Sequence, residues 1–170
     1  LTSAIALSIY NYLNDENITD YKTKLFQNEK AFYAERVFCL ASFDISGIQK
    51  FIYSVIPEKA LKQLRARSNY LEILTEFLID ELLTSMGLIR SNLIYNGGGH
   101  CYMLISNTKK AKENFLKCLK SQNQWLLEHF KTDLYVAGAY QECSAYDLQN
   151  TEGGDNIQEI INSRKTCSAY

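Results

Sequence analysis

The sequence predicts an α+β fold of the ferredoxin-like βαββαβ type, with an extra helix in the first crossover and helical segments on both flanks. Three observations predict it. An apolar run, Val37 to Phe43, is typical of a buried central strand, which is predicted over Arg36 to Phe43. Two strand-like runs, Leu93 to Tyr95 and Cys101 to Ile105, enclose a glycine-rich turn. Apolar residues also recur at helical spacing in two long segments, Ala60 to Met86 and Lys109 to Phe130.

The N-terminal flank, residues 1–34, predicts the helical tail of a preceding domain or a connector. Leu1 to Asn14 is amphipathic, with an apolar stripe of Leu1, Ile5, Ile9, Tyr12 and Leu13. Ile18 to Ala34 is polar and irregular, with room for a second short helix. The chain starts on leucine, so we expect it to be a piece of a longer protein.

The central domain is predicted over residues 35–143. After the first strand, Ser46 and Gly47 turn the chain into a short helix, Ile48 to Val55, which Pro57 ends. The next helix carries an apolar stripe of Leu61, Leu64, Leu71, Leu74, Leu78 and Leu82, and Gly87 is suited to stop it. Asn107 or Thr108 is expected to cap the last long helix, whose predicted inward residues are Ala111, Phe115, Cys118, Leu119, Leu126 and Phe130. Leu134 to Tyr140 completes the sheet.

Residues 144–170 are polar and predict a connector toward a following domain, with a helix near Ile157 to Ile161. The segment Glu152 to Asn156 contains the sequence Gly-Gly-Asp, which resembles a signature that binds metal where it joins paired strands. Its polar flanks favour a loop in which Asp155 caps the next helix.

Composition limits the classes of function. The chain has 170 residues, 46% of them hydrophobic, which indicates a globular domain with a real core. Its formal net charge is −1, so no global charge drives it toward nucleic acid or membrane, and no run is long enough to span one. Five scattered cysteines without a CxxC pair predict free thiols in a reducing cytoplasm: Cys39, Cys101, Cys118, Cys143 and Cys167.

The candidate site is where the first strand meets the turn Gly97-Gly98-Gly99-His100. A strand ending on an acid, Asp44, beside a glycine-rich hairpin is the layout of nucleotide-polymerising palm domains. Three consecutive glycines exceed what a turn needs and leave backbone that a ligand can approach. The hairpin carries no acid, and a lone carboxylate makes a poor two-metal site, so we expect no catalysis and no metal centre in this chain alone. Asp44 remains open between nucleotide ligand and helix N-cap.

Two further features have competing explanations. The helix start at Ser46 and Gly47 suits an anion, or is an ordinary capped turn. The basic cluster at the start of the long helix is either a solvated face or a clamp for triphosphate or RNA; it comprises Lys59, Lys62, Arg65 and Arg67, with Arg67 off the line that Lys62 and Arg65 share. His100 and His129 have no adjacent aspartate, so nothing predicts an HD-type nuclease.

Three stretches carry a resemblance to a known family: FDISGIQKFIY, LKQLRARSNYLEIL and LIYNGGGHCYMLIS. From about Glu35 to Glu142 the chain resembles the first palm domain of the large subunit of type III-A, Csm-type, CRISPR effector complexes. The resemblance implies one half of an ATP site, paired with a second palm whose acids hold Mg²⁺ or Mn²⁺ and make cyclic oligoadenylate when target RNA is bound. It also implies an HD domain that cuts single-stranded DNA. None of those motifs is in these residues.

By this resemblance the expected partners are the second palm, other effector subunits, guide and target RNA, and single-stranded DNA through the parent protein, in the cytoplasm and away from membranes. The nucleotide-binding residues that it implies are Asp44, Ser46, Gly47, Lys50, Lys62, Arg65, Gly97, Gly98, Gly99 and His100. The alternative is a structural palm that docks subunits or guide RNA without touching nucleotide. An independent diguanylate-cyclase-like enzyme is disfavoured because the hairpin lacks acids.

Overall fold

The computed structural model describes residues 1–54 and 60–149. The central unit consists of β1 (Phe38–Ser46), α3 (Ile48–Tyr53), α4 (Ala60–Ser85), β2 (Leu93–Gly97), β3 (His100–Ser106), α5 (Lys109–Phe130) and β4 (Tyr135–Cys143). Before it lie α1 (Thr2–Asp15), a π-helical turn (Thr23–Gln27) and α2 (Glu29–Ala34). A 3-10 turn (Arg90–Asn92) precedes β2, and α6 (Ala145–Gln149) follows β4.

The four strands form one antiparallel sheet in the order β2-β3-β1-β4. This order, with α3 and α4 in the first crossover and α5 in the second, confirms the predicted ferredoxin-like unit and its extra helix. The register places Asp44 of β1 directly opposite His100 of β3 and Ala137 of β4. The end of β1 therefore lies beside the glycine turn that joins β2 to β3.

Each face of the sheet has its own core, because successive side chains of a strand point to opposite faces. Cys39, Ala41, Phe43 and Ile45 of β1 are buried beneath α4 and α5. Phe38 belongs to a smaller cluster on the other face, beneath α1 and α2, with Leu104 and Cys143. That second cover reaches only one end of the sheet, since the Asp44 side chain at the other end is 48% exposed.

Helix α1 is tied to the sheet through one buried amide. The Nδ2 atom of Asn92 donates to the carbonyl oxygen of Leu104 at 2.8 Å, and lies 3.4 Å from both the carbonyl oxygen of Ala4 and the Oγ of Ser8. Asn92, Ala4 and Ser8 are all fully buried, so these contacts replace the water that each polar group loses. The division at residues 34 and 143 stays a prediction.

One margin of the sheet is covered by a side chain. The N–H of Val136 on β4 donates to Oδ1 of Asn123 at 2.7 Å, and Nδ2 of Asn123 donates to the carbonyl oxygen of Val136 at 2.8 Å. The amide of Asn123 on α5 thus imitates a neighbouring strand at this position of the outer strand.

Several predicted boundaries differ from the structure. β1 starts two residues after Arg36 and runs to Ser46, three residues beyond its predicted end at Phe43, because its pairing with β4 continues to Ser46 opposite Tyr135. The predicted apolar stripes were too long at their starts: Leu61 is 66% exposed and Leu1 is 75% exposed. β4 runs from Tyr135 to Cys143, and α6 was not predicted.

Other predictions are confirmed or lie beyond the described residues. Helix α5 has its predicted bounds, and Thr108 caps it by accepting from the N–H of Ala111 at 3.1 Å. Four cysteines are buried thiols that form no disulfide: Cys39, Cys101, Cys118 and Cys143. Outside the described residues lie Val55, Pro57, Lys59, Cys167 and the segments Glu152 to Asn156 and Ile157 to Ile161. Within the described ranges no helix is long and apolar enough to cross a membrane.

Candidate functional site

The glycine turn is a two-residue hairpin loop. Gly98 and Gly99 have φ angles of +64° and +85°, the left-handed pair that a tight hairpin needs. A Cβ on Gly99 would stand 2.2 Å from Cδ1 of Ile48, whereas a Cβ on Gly98 would meet nothing within 4 Å. Glycine at position 99 is favoured by its positive φ, and a side chain there would also have to displace the end of the Ile48 side chain. Gly98 presents open backbone, as the three-glycine pattern predicted.

A cleft of about 380 Å³ opens beside this turn, on the face of the sheet that α4 and α5 cover. Its walls come from α3, from the middle of α4 and from the turn itself. The lining residues are Ile48, Ile52, Ser68, Leu71, Glu72, Thr75, Glu76, Asn96, Gly97, Gly98 and Gly99. Three of these, the glycines, belong to the predicted site; the α4 residues were missed because their convergence depends on how α3 packs against α4.

Asp44 and His100 lie on the opposite face of the sheet from the cleft. Oδ1 of Asp44 is 3.4 Å from Nδ1 of His100, and the Oγ of Ser46 donates to Oδ2 of Asp44 at 3.4 Å. The helix-cap alternative for Asp44 is wrong, since Asp44 lies within β1 and the N-cap of α3 is Gly47. The predicted residues therefore form two groups, one on each side of the glycine turn.

Aromatic rings extend the Asp44 group along β3 and β2. The ring of His100 meets that of Tyr102 edge-on with centroids 4.6 Å apart, and Tyr95 lies 6.2 Å from Tyr102. A Cβ on Gly97 would stand 2.7 Å from the hydroxyl of Tyr95, so the Tyr95 side chain reaches toward the turn. The alternation of the strand could have indicated this row, because residues 100 and 102 share a face.

Gly47 and Lys50 both contact Asp133, which precedes β4. A Cβ on Gly47 would stand 1.9 Å from the carbonyl oxygen of Asp133, and its φ of +91° also favours glycine. Nζ of Lys50 binds Oδ1 of Asp133 at 2.8 Å, and this hydrogen bond holds the pKa of Asp133 below its usual range. Both predicted ligands thus have structural contacts, and α3, with six residues, is too short to act as a strong dipole.

The described residues of the basic cluster, all on α4, differ in their surroundings. Lys62 and Arg65 are exposed. Arg67, which its position had set apart, instead joins α4 to α3: its guanidinium donates to the carbonyl oxygen of Phe51 and to the Oγ of Ser54, and lies 5.2 Å from the centroid of the Phe51 ring. Arg67 therefore holds together the two helices that form the walls of the cleft.

Metal-binding capacity is small in the part of the chain that the structure describes. No group of three or more histidine, cysteine, aspartate or glutamate side chains converges there. The Asp44 group offers one carboxylate and one imidazole. Mg²⁺ demands oxygen ligands in octahedral geometry, so this donor set does not fit a resident Mg²⁺ centre.

Comparison with known families gives a match over most of the chain. The sequence model described as Csm1 subunit domain B matches residues 37–168. Curated relatives are CRISPR system single-strand-specific deoxyribonucleases Cas10/Csm1 of subtype III-A. That of Enterococcus italicus is 47% identical over 156 residues, which is 90% of this chain and 21% of the relative. That of Streptococcus thermophilus is 48% identical over 150 residues, 88% of this chain and 20% of the relative.

Solved structures match at the level of the fold and the sequence. A Csm1-Csm4 cassette in complex with cA3 superposes with a TM-score of 0.75 at 31% identity, covering 96% of this chain and 22% of that one. The cassette in complex with one ATP gives 0.74 at 32% identity, with the same coverage. The chain spans about a fifth of the length of the curated relatives that it matches.

Proposed function

Because this chain belongs to the family of Csm1 subunit domain B, we propose that it is the non-catalytic palm of a type III-A CRISPR large subunit. In that role it supplies one half of an ATP site for target-RNA-activated synthesis of cyclic oligoadenylate. The structures that it resembles include Csm1-Csm4 cassettes in complex with AMPPNP, with ATP, with pppApA and with cA4. Their nucleotide ligands support a nucleotide at the matching domain here.

One observation carries the proposal. The backbone of Gly98 lies open at a turn that borders the cleft of about 380 Å³ on one side and pairs with the Asp44 strand on the other. A cleft of this size, lined by three apolar side chains and by carboxylate, hydroxyl and amide groups, can hold a nucleobase with its ribose. We propose that the base enters the cleft and that the phosphates pass the turn toward Asp44 and Ser46.

The remaining parts of the site come from outside this chain. The donor set of the Asp44 group does not hold Mg²⁺ by itself, so we propose that the divalent ions are bound mainly by a second palm. When bound, those ions neutralise the triphosphate. Binding to Csm4, to guide and target RNA, and to single-stranded DNA through a nuclease domain is proposed for the cytoplasmic parent protein. This chain alone is proposed to be inactive.

The test is a side chain at Gly98 in the full-length subunit assembled with Csm4. We expect Gly98→Leu to lower ATP binding and cyclic oligoadenylate synthesis at least about tenfold, because a side chain there occupies the mouth of the cleft. The measurements are isothermal titration with ATP and Mg²⁺, and product yield in the presence of target RNA.

Gly87→Leu is the matched control. Gly87 has a φ of +65°, close to the +64° of Gly98, and a Cβ on it likewise meets nothing within 4 Å. Both variants therefore carry the same backbone strain, but Gly87 follows the far end of α4 and does not line the cleft. Unchanged ATP binding and synthesis in folded Gly98→Leu would favour the structural, RNA-docking role instead.

A further inference from the structure

We infer that Glu72 is the residue of this palm that recognises the base, by accepting a hydrogen bond from the exocyclic 6-amino group of adenine. The inference rests on the proposed function, since it places the base in the cleft. It adds a specificity determinant, because the proposed function assigns the glycine turn to the phosphates and leaves the base without a partner that selects it.

The walls of the cleft suit a flat heterocycle. Ile48 and Ile52 are one helical turn apart on α3, and Leu71 lines the same cleft from α4. All three pack against the core: Leu71 is 4% exposed, while Ile48 and Ile52 are partly buried. Their positions are therefore held by packing, and they give the cleft an apolar surface against which a base can pack.

The polar groups of the cleft differ in their availability. Thr75 donates its hydroxyl to the carbonyl oxygen of Leu71 at 2.7 Å. Glu76 is occupied by an ion pair with Arg90 and by the Nδ2 of Asn96 at 2.5 Å. Within residues 1–54 and 60–149, Glu72 makes no hydrogen bond or ion pair. It is the carboxylate of the cleft that is free to accept.

The charge of Glu72 selects the kind of group that it can bind. A carboxylate accepts hydrogen bonds and repels a carbonyl oxygen. The 6-amino group of adenine is a donor, whereas the same position in guanine is a carbonyl oxygen. A hydrogen bond from a neutral donor to a charged acceptor is among the stronger ones, so its loss is expected to weaken binding about tenfold or more.

The experiment compares ATP with purine riboside triphosphate, which lacks only the 6-amino group, and with GTP. Titrations use the full-length subunit assembled with Csm4. The component of the binding isotherm that Gly98→Leu abolishes is assigned to the site of this palm. We expect the unmodified subunit to bind ATP about tenfold more tightly than purine riboside triphosphate. Glu72→Ala should bring that ratio to about one, and Glu72→Gln, which keeps an acceptor oxygen, should retain part of it.

Glu113→Ala is the control, because Glu113 lies on the exposed side of α5 and pairs with Lys109. It should leave the ratio unchanged. A ratio that is already one in the unmodified subunit, a ratio that survives Glu72→Ala, or tighter binding of GTP than of ATP overturns the inference. In each of these cases the loss of binding in Gly98→Leu still upholds the proposed function. If no component is sensitive to Gly98→Leu, both proposals fail.

Discussion

The carbonyl oxygen of Asp133 lies where a side chain on Gly47 would begin, 1.9 Å from the position of its Cβ. The turn out of β1 and the turn into β4 are therefore in backbone contact beside the candidate site. Glycine at position 47 is explained by this approach and by its φ of +91°, without a ligand.

Gly47→Ala should lower the free energy of unfolding by at least about 2 kcal/mol, since the backbone of Asp133 must move and the left-handed conformation is strained. Urea unfolding of the chain measures it. Gly87→Ala, with a similar φ and open space around it, should cost only about 1 kcal/mol. Equal losses in the two variants would mean that contact with Asp133 is unimportant.

Lys50→Met tests whether the ammonium group of Lys50 binds Asp133 or is available to a ligand. The hydrogen bond from Lys50 is the largest cause of the lowered pKa of Asp133, so the variant should return that pKa toward its ordinary value of 3.8. A lowered pKa in the folded state stabilises the fold above pH 3.8 and loses that effect as pH falls through the folded value. Side-chain NMR titration of Asp133 makes the measurement.

Lys62→Met is the comparison for Lys50→Met, because Lys62 is exposed on α4. It should leave the pKa of Asp133 unchanged. An Asp133 pKa that does not respond to Lys50→Met would show that the pair does not persist in solution.

Arg67→Met should loosen α3 from α4. The variant keeps an aliphatic side chain but loses the donors that reach Phe51 and Ser54 on the far side of the contact. We expect the free energy of unfolding to fall by about 1–2 kcal/mol. Amide hydrogen exchange of Ile48–Tyr53 should accelerate more than that of α5. Arg65→Met, at an exposed position, is the control, and equal exchange rates of α3 in both variants would contradict the role assigned to Arg67.

We expect the buried thiol of Cys101 to lower the free energy of unfolding at alkaline pH. Burial raises the pKa of its thiol from 9.0 to about 12. The folded state thus holds this proton more tightly than the unfolded state, and the associated stability is present below pH 9 and is lost as pH rises toward 12. The loss amounts to at most about 1.4 kcal/mol per pH unit.

Unfolding of the chain and of Cys101→Ala, measured from pH 8 to pH 11, isolates that contribution as a difference in slope. The slope is the informative quantity, because the variant also leaves a small cavity. Tyr12, whose pKa burial raises to about 12, contributes to both proteins above pH 10. Identical slopes from pH 9 to pH 10 would exclude the thiol as the cause.

The sequence predicted those features that depend on local pattern. The period of apolar residues identified α4 and α5, and the glycines identified the hairpin, since only its two central residues need positive φ. It could not predict that Glu72 and Asn96 line one cleft, because their distance depends on tertiary packing. It also placed Asp44 at the end of a strand, whereas pairing with β4 extends β1 two residues further.

The amide of Asn123 gives the sheet two unlike margins. A chain that approached β4 at Val136 would find both backbone hydrogen-bonding groups already satisfied, and α5 would have to shift before lateral growth could start there. The margin at β2 is guarded differently, by its shortness and by an irregular register between Leu93 and Tyr95. Addition of a strand from another molecule is therefore less favourable at the β4 margin, beside Val136, than at the β2 margin.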